Sequence, residues 1–287
     1  MVATTGGAVT VAELVARLEA GVATVASSEG WREYLAAQAR FHQYSLGNVL
    51  LIAAQMPTAT RVCGFHGWLR LGRHVRKGEH GIRILAPVTG RRDEAEESEE
   101  TDANGRPVRG FRVVTVFDIS STDGEPLAEH PCRKLTTDSE RGAWLYAKLL
   151  DIARAEGIPV REDATDLGAA NGCYYPARHA IALAAGLSLD HKAKTMVHEL
   201  GHALTHRNTD KPRAEQEAEA EGTAFVVAAW VGLDTSQYSF GYVADWAGRE
   251  DGPALVRRVG ATIQRTAARI IGRLDPAAAA GNIRETA

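Results

Sequence analysis

The run KTMVHELGHALTH carries the residue types and spacing best suited to chemistry: His198, Glu199 and His202, set out as His-Glu-x-x-His. On an α-helix, residues four apart stand on one face, one turn above the other. Two imidazoles so placed can close on a single Zn²⁺, and Glu199 then stands where it can take a proton from an attacking water. A catalytic zinc site keeps three protein ligands and one open position, so a third ligand must come from another element.

The run RAEQEAEAEGTAFVVAAWVGL is expected to supply it, as a second helix with an acidic first half and an apolar second half. Glu217 and Glu221 lie four apart on one face with Ala224 and Ala228, which point to a core. Glu215 and Glu219 fall on another side; Glu215 reads as solvated, and Glu219 is left open. A carboxylate on a buried stripe is expensive unless it is paired or bound to metal. That selects Glu217 as the third ligand, with Glu221 behind a histidine and orienting it. Glu219 and Glu221 stay open as alternative ligands. Tyr238, Tyr242 and His206 are candidates to stabilise an oxyanion, and His206 is also placed to cap its helix.

The elements that must position these groups are legible. Asp190 is placed to cap the metal helix, and Ala193, Met196, Val197, Leu200, Ala203 and Leu204 form an apolar stripe at helical spacing. Gly201 costs that helix about 1 kcal/mol against Ala, and a small residue there lets another backbone come close.

A second constellation lies upstream. From Arg61 to Arg92 the chain holds eight basic residues and one acid, Glu79, with Phe65, His66, Trp68, His74 and His80 interleaved. Cations that track phosphates beside rings on which bases stack suit single-stranded nucleic acid. Arg70, Arg73, Arg76, Lys77 and Arg83 are the candidate phosphate contacts, and Trp68 the candidate stacking ring. Trp68, followed by Leu69 and Leu71, reads equally well as a core residue. Net charge is only −3, so the basic character is local.

HELGH followed by a helix of pattern ExEAExxA resembles the zinc-peptidase domain of the ImmA/IrrE group, and the Glu217/Glu221 pair resembles the second helix of the glutamate zincins. GCYYPARHAIALAAGL then fits the strand region before the metal helix, with Cys173 to Tyr175 and His179 to Leu183 as a hairpin or edge strand and PARH as the turn. An edge strand there can hold an extended peptide by main-chain pairing. The front half, with FHQYSLGNVLLIAAQ, WLRLGRHVRKGE and VFDISSTDG in that order, resembles the N-terminal domain of ArdC-type antirestriction proteins. That resemblance implies a single-stranded DNA-binding domain followed by a metallopeptidase-like domain, and an antirestriction role. The alternative is an active zinc endopeptidase of the ImmA/IrrE type that cuts a regulatory protein, with DNA binding serving localisation.

The expected architecture is α+β with two domains. Residues 8–129 form the DNA-binding domain, built from N-terminal helices and a small antiparallel sheet. Residues 130–138 are a linker. Residues 139–274 form a mostly helical zincin-like domain with a short edge sheet, and 275–287 a flexible tail. Helices are expected over Val11–Ser27 and Trp31–Ala54, broken near Tyr44–Gly47, with strands at Val62–Gly64, Ile82–Pro87 and Arg112–Asp118. The acidic stretch RRDEAEESEETDANGRPVRG reads as a disordered or extended loop. No apolar run approaches membrane-spanning length, so no membrane partner is expected. Three scattered cysteines, Cys63, Cys132 and Cys173, point to a reducing, cytoplasmic setting without a disulfide frame. The expected partners are single-stranded DNA and a protein or peptide substrate.

Overall fold

A computed structural model describes residues 9–25, 27–89, 108–127, 137–235, 238, 240 and 251–276. The acidic stretch, most of the expected linker, Tyr242 and the expected tail beyond Pro276 lie outside the described residues. The fold is α+β, in two compact units that do not follow chain order. The described residues of Met1–Ala23 and Gly47–Glu125 form one, and those of Thr24–Leu46 and Pro126–Thr286 the other. No described helix is long and apolar enough to cross a membrane.

The first unit holds most of helices α1 (Val11–Val25) and α3 (Leu46–Gln55), with the short α4 (Phe65–Arg70). Strands β1 (Val62–Gly64), β3 (Ile82–Thr89) and β4 (Val108–Asp118) form an antiparallel sheet in the order β1-β4-β3. A separate two-stranded ladder pairs β2 (Arg73–Val75) with β5 (Thr122–Gly124). Strand β3 is an edge, yet its outer backbone is not left bare. Asn48 on α3 donates to Leu85 O at 2.8 Å and accepts from Leu85 N at 2.9 Å. Gln55, two turns on, does the same to Arg83, at 2.7 and 2.9 Å. Two side-chain amides thus stand in for a neighbouring strand, one way to block edge-to-edge pairing. The buried Asp118 caps the 3₁₀ turn Ile119–Ser121 through Ser120 N and also accepts from Thr60 N and Arg61 N.

In the second unit, α2 (Ser28–Arg40) packs on α7 (Arg213–Val231), which is far away in sequence. Helix α5 (Asp138–Ala155) opens with a capping box in which Thr137 and Glu140 satisfy each other's backbone N–H. It is followed by a three-stranded sheet in the order β6-β8-β7, from β6 (Val160–Ala164), β7 (Gly172–Tyr175) and β8 (Ala180–Ala184). Strands β7 and β8 form the expected hairpin, with β7 on the edge. The parallel partner β6 carries VREDA and has no apolar alternation by which sequence could find it. Helices α6 (Leu189–Thr205), α7 and α8 (Gly252–Leu274) complete the unit.

Candidate functional site

Helix α6 carries the first half of the site. Its N-cap is Ser188, whose side chain accepts from His191 N, and not Asp190, which falls inside the first turn. The expected stripe holds: Ala193, Met196, Val197 and Leu200 are fully buried. This fixes the helix with His198 and His202 on one side, their Nε2 atoms 3.1 Å apart. Helix α7 crosses close by. A methyl built on Gly201 would stand 3.4 Å from the Ala220 Cα, so the small residue admits the neighbouring backbone. That crossing brings Glu217 Oε2 to 3.3 Å from His198 Nε2 and 3.6 Å from His202 Nε2. One ligand atom from each of these three residues lies within 4.8 Å of the others, a donor set of two imidazoles and a carboxylate that fits a divalent cation such as zinc.

The reasoning that singled out Glu217 as a buried carboxylate needs correction. Its side chain is 41% exposed, whereas Glu219 and Glu215 on the same helix are buried. Helix α7 is enclosed on nearly every side, so burial does not mark one face of it. The two buried carboxylates are instead paired. Glu215 receives two hydrogen bonds from Arg258, at 2.9 and 3.0 Å. Glu219 accepts from His206 Nε2 at 2.7 Å and from Lys211. Glu221 lies 3.1 Å from His198 Nδ1, on the side of the ring away from Glu217, and Lys194 stands 3.5 Å beyond it.

These contacts shift the ionisation of the group. Burial works against charge on His198, but hydrogen bonds to Glu217 and Glu221 outweigh it and hold the imidazole up at about 9. Hydrogen bonds from His198 and His202 hold Glu217 well below the usual carboxylate range. Glu199 is shifted the other way: burial raises its carboxyl, although both imidazoles and the Tyr174 N–H pull it down. A carboxyl raised by burial beside these two imidazoles has the property required of a general base. A pocket of about 220 Å³ opens next to it, lined by Asn171, Gly172, His191, Lys194, Thr195 and Glu199. Edge strand β7 borders this pocket and hands its Tyr174 N–H to Glu199.

Neither described oxyanion candidate faces that space. The ring of Tyr238 is buried, with its hydroxyl unpartnered among the described residues and Lys194 Nζ 3.8 Å from its centroid. His206, the C-cap of α6, lies behind His202 with its Nδ1 2.9 Å from His202 Nδ1. The hydrogen-bonded pair His206 and Glu219 was missed in sequence. Its signal was present, because His198, His202 and His206 recur at every fourth position.

The upstream candidates separate into two groups. Trp68 is buried, and its indole N–H donates to Phe117 O at 2.9 Å, so it is a core residue with no face to offer a base. Arg73 is consumed by Thr122, Gly124 and Glu125 of the adjoining ladder, and Arg76 by Glu79, Asp123 and Ser120. Arg70 and Lys77 are exposed, and Arg83 is half-buried on the β3 face opposite Ile82 and Ile84. Phe65 is 46% exposed on α4 with Leu69 one turn along, and the rings of His66, His74 and His80 are exposed as well.

The chain is similar to known proteins at both ends. Residues 8–117 match the model of the N-terminal domain of anti-restriction factor ArdC, and residues 153–269 that of the IrrE N-terminal-like domain. An uncharacterized Bacillus anthracis protein, pXO2-81, is 26% identical over 255 residues, covering 77% of this chain, and the chain spans 43% of that relative's length. Two crystal structures of the antirestriction protein ArdC from plasmid R388 are also similar. The metal-free form has 21% identity and a TM-score of 0.47, covering 81% of this chain and 86% of that one. The Mn(II)-bound form has 20% identity and a TM-score of 0.46, covering 84% and 98%. The chain thus joins an ArdC-type N-terminal domain to an IrrE N-terminal-like domain, in that order.

Proposed function

We propose that this chain is a single-stranded DNA-binding protein of the antirestriction type whose second unit is a metal-dependent peptidase. The observation that carries the enzymatic half is the convergence of His198, His202 and Glu217 on one point, with the buried Glu199 beside them and outside the ligand set. His198, His202 and Glu217 would hold the cation, with zinc the expected ion and Glu221 steadying His198. When bound, a divalent cation supplies Lewis acidity towards a carbonyl and makes a water easier to deprotonate. Glu199 accepts that water's proton and returns it to the leaving amine. Edge strand β7 offers main-chain groups to an extended peptide alongside the pocket, the usual way a free edge takes a substrate strand.

The DNA-binding half rests on the match of residues 8–117 to the ArdC N-terminal domain, on the basic side chains of Arg70, Lys77 and Arg83, and on the exposed ring of Phe65 in the same unit. Antirestriction as the biological role, and the expected division at residues 8–129 and 139–274, belong to the same proposal.

Two measurements test it. Metal content of the wild type is expected to be one divalent ion per chain, lost in both His198→Ala and Glu217→Ala. Full retention in Glu217→Ala would move the third ligand to Glu219 or Glu221. Glu199→Gln is expected to keep its metal and lose peptide hydrolysis. If that variant also protects incoming DNA in a transfer assay as well as the wild type, cleavage is not the protective step and the DNA-binding unit carries the role.

A further inference from the structure

Behind His202 runs a continuous line of hydrogen bonds that no proposed catalytic step uses. His202 Nδ1 lies 2.9 Å from His206 Nδ1, His206 Nε2 lies 2.7 Å from Glu219 Oε2, and Glu219 Oε1 lies 2.5 Å from Lys211 Nζ. The side chains of His206 and Glu219 are 2% and 1% exposed, so neither can take a partner from solvent. A buried pair of this kind is a weak source of stability, and apolar residues of similar size often serve a core as well or better.

We propose that His206 and Glu219, backed by Lys211, are positioning residues that fix the tautomer and ring orientation of His202 towards the metal. The inference rests on the reading that His198, His202 and Glu217 hold a divalent cation.

For a neutral His206, the donor and acceptor inventory leaves one arrangement. Lys211 brings only donors, and Glu219, ionised beside it, brings only acceptors, so His206 must present its N–H from Nε2. The neutral imidazole of His206 then has a lone pair at Nδ1. His202 must therefore place its own hydrogen on Nδ1, which leaves its Nε2 lone pair pointing at His198 and Glu217. The opposite direction fails, because an Nε2 lone pair on His206 would face a carboxylate with nothing to donate.

The other ligand histidine has the same support in shorter form, with Glu221 against His198 Nδ1 and Lys194 behind the carboxylate. In both lines a lysine holds a carboxylate that fixes a histidine. On the His202 side the carboxylate is one ring further away, and His206 fills the gap. Partners of this kind typically change metal affinity by about 10–100-fold when removed.

Cobalt(II) binding to the full chain, followed by its visible absorption and by competition with a chelator, tests the inference. His206→Phe removes both hydrogen bonds and keeps a ring in the space, and Glu219→Leu removes the anchoring acceptor. Each is expected to weaken Co²⁺ binding about 10–100-fold and to alter the absorption band, which a loss of stability alone would not do. Glu219→Gln keeps an acceptor towards His206 and should lose less. The double variant His206→Phe/Glu219→Leu should lose no more than the worse single variant, because both act through His202. Lys211→Met, at a part-exposed position, should lose affinity in the same direction and by less. Variants that bind cobalt within about twofold of the wild type with an unchanged band overturn the inference and leave the metal site standing. Additive losses in the double variant also overturn it. A wild type that takes up no cobalt overturns the metal reading and this inference together.

Discussion

Gly172 on strand β7 stands so close to Glu199 that a methyl on it would lie 2.9 Å from Glu199 Oε1 and 2.6 Å from Thr195 Cγ2. The glycine is needed for this approach and not for its backbone angles. It lets the edge strand pass against the proposed general base, and the neighbouring Tyr174 N–H holds the carboxylate in place. Gly172→Ala should therefore push Glu199 out of position. We expect turnover to fall by about 100-fold, the scale of a lost general base, with metal content unchanged because Glu199 is outside the ligand set. Equal loss of metal and activity would show that the strand supports the ligands instead.

Trp68 and Phe65, three residues apart on α4, should separate stability from DNA affinity. Trp68→Ala empties a buried site and breaks the bond to Phe117 O, so it should destabilise the first unit by about 3–5 kcal/mol in urea titrations. Phe65→Ala removes an exposed ring, leaves stability nearly unchanged, and should weaken single-stranded DNA binding by about 1–3 kcal/mol, the range for one stacked base. Retained affinity in Phe65→Ala would remove α4 from the proposed interface.

The amides that cover the β3 edge should each be worth more than a surface polar residue. Asn48→Ala leaves the N–H and C=O of Leu85 without their partners, and Gln55→Ala does the same to Arg83. Each is expected to cost about 1–3 kcal/mol, read as a lower urea midpoint at constant slope, together with a greater tendency to associate through the bared strand.

Acid should loosen the same unit through Asp118. Burial raises this carboxyl, but N–H groups of Ser120, Thr60 and Arg61 outweigh it and leave it below its ordinary value of 3.8. A carboxyl depressed in the folded state binds fewer protons there than when unfolded, so stability rises with pH across the interval between the two values. The contribution is complete above about pH 4 and disappears as pH falls through the folded-state value. Asp118→Asn should flatten that part of the stability profile measured by chemical unfolding between about pH 2 and 6.

The sequence by itself determined the parts of this protein that depend on local periodicity and side-chain chemistry. His198, Glu199 and His202 are set by helical spacing, the β7–β8 hairpin by two short strand patterns and the turn between them, and the core of α6 by an apolar stripe. Tertiary structure decided which carboxylate meets the histidines. Helix α7 is enclosed almost all round, so its amphipathic pattern could not separate Glu217, which is half-exposed and aimed at them, from Glu219, which is buried and tied to His206 and Lys211. It also decided the fate of the basic stretch. Arg73 and Arg76 are spent on carbonyls and carboxylates of residues 120–125, a pairing set by the long-range β2–β5 ladder and absent from any local window of sequence. A charge counted in sequence becomes available to a ligand only when no distant acceptor reaches it first, and that depends on which segments the fold brings together.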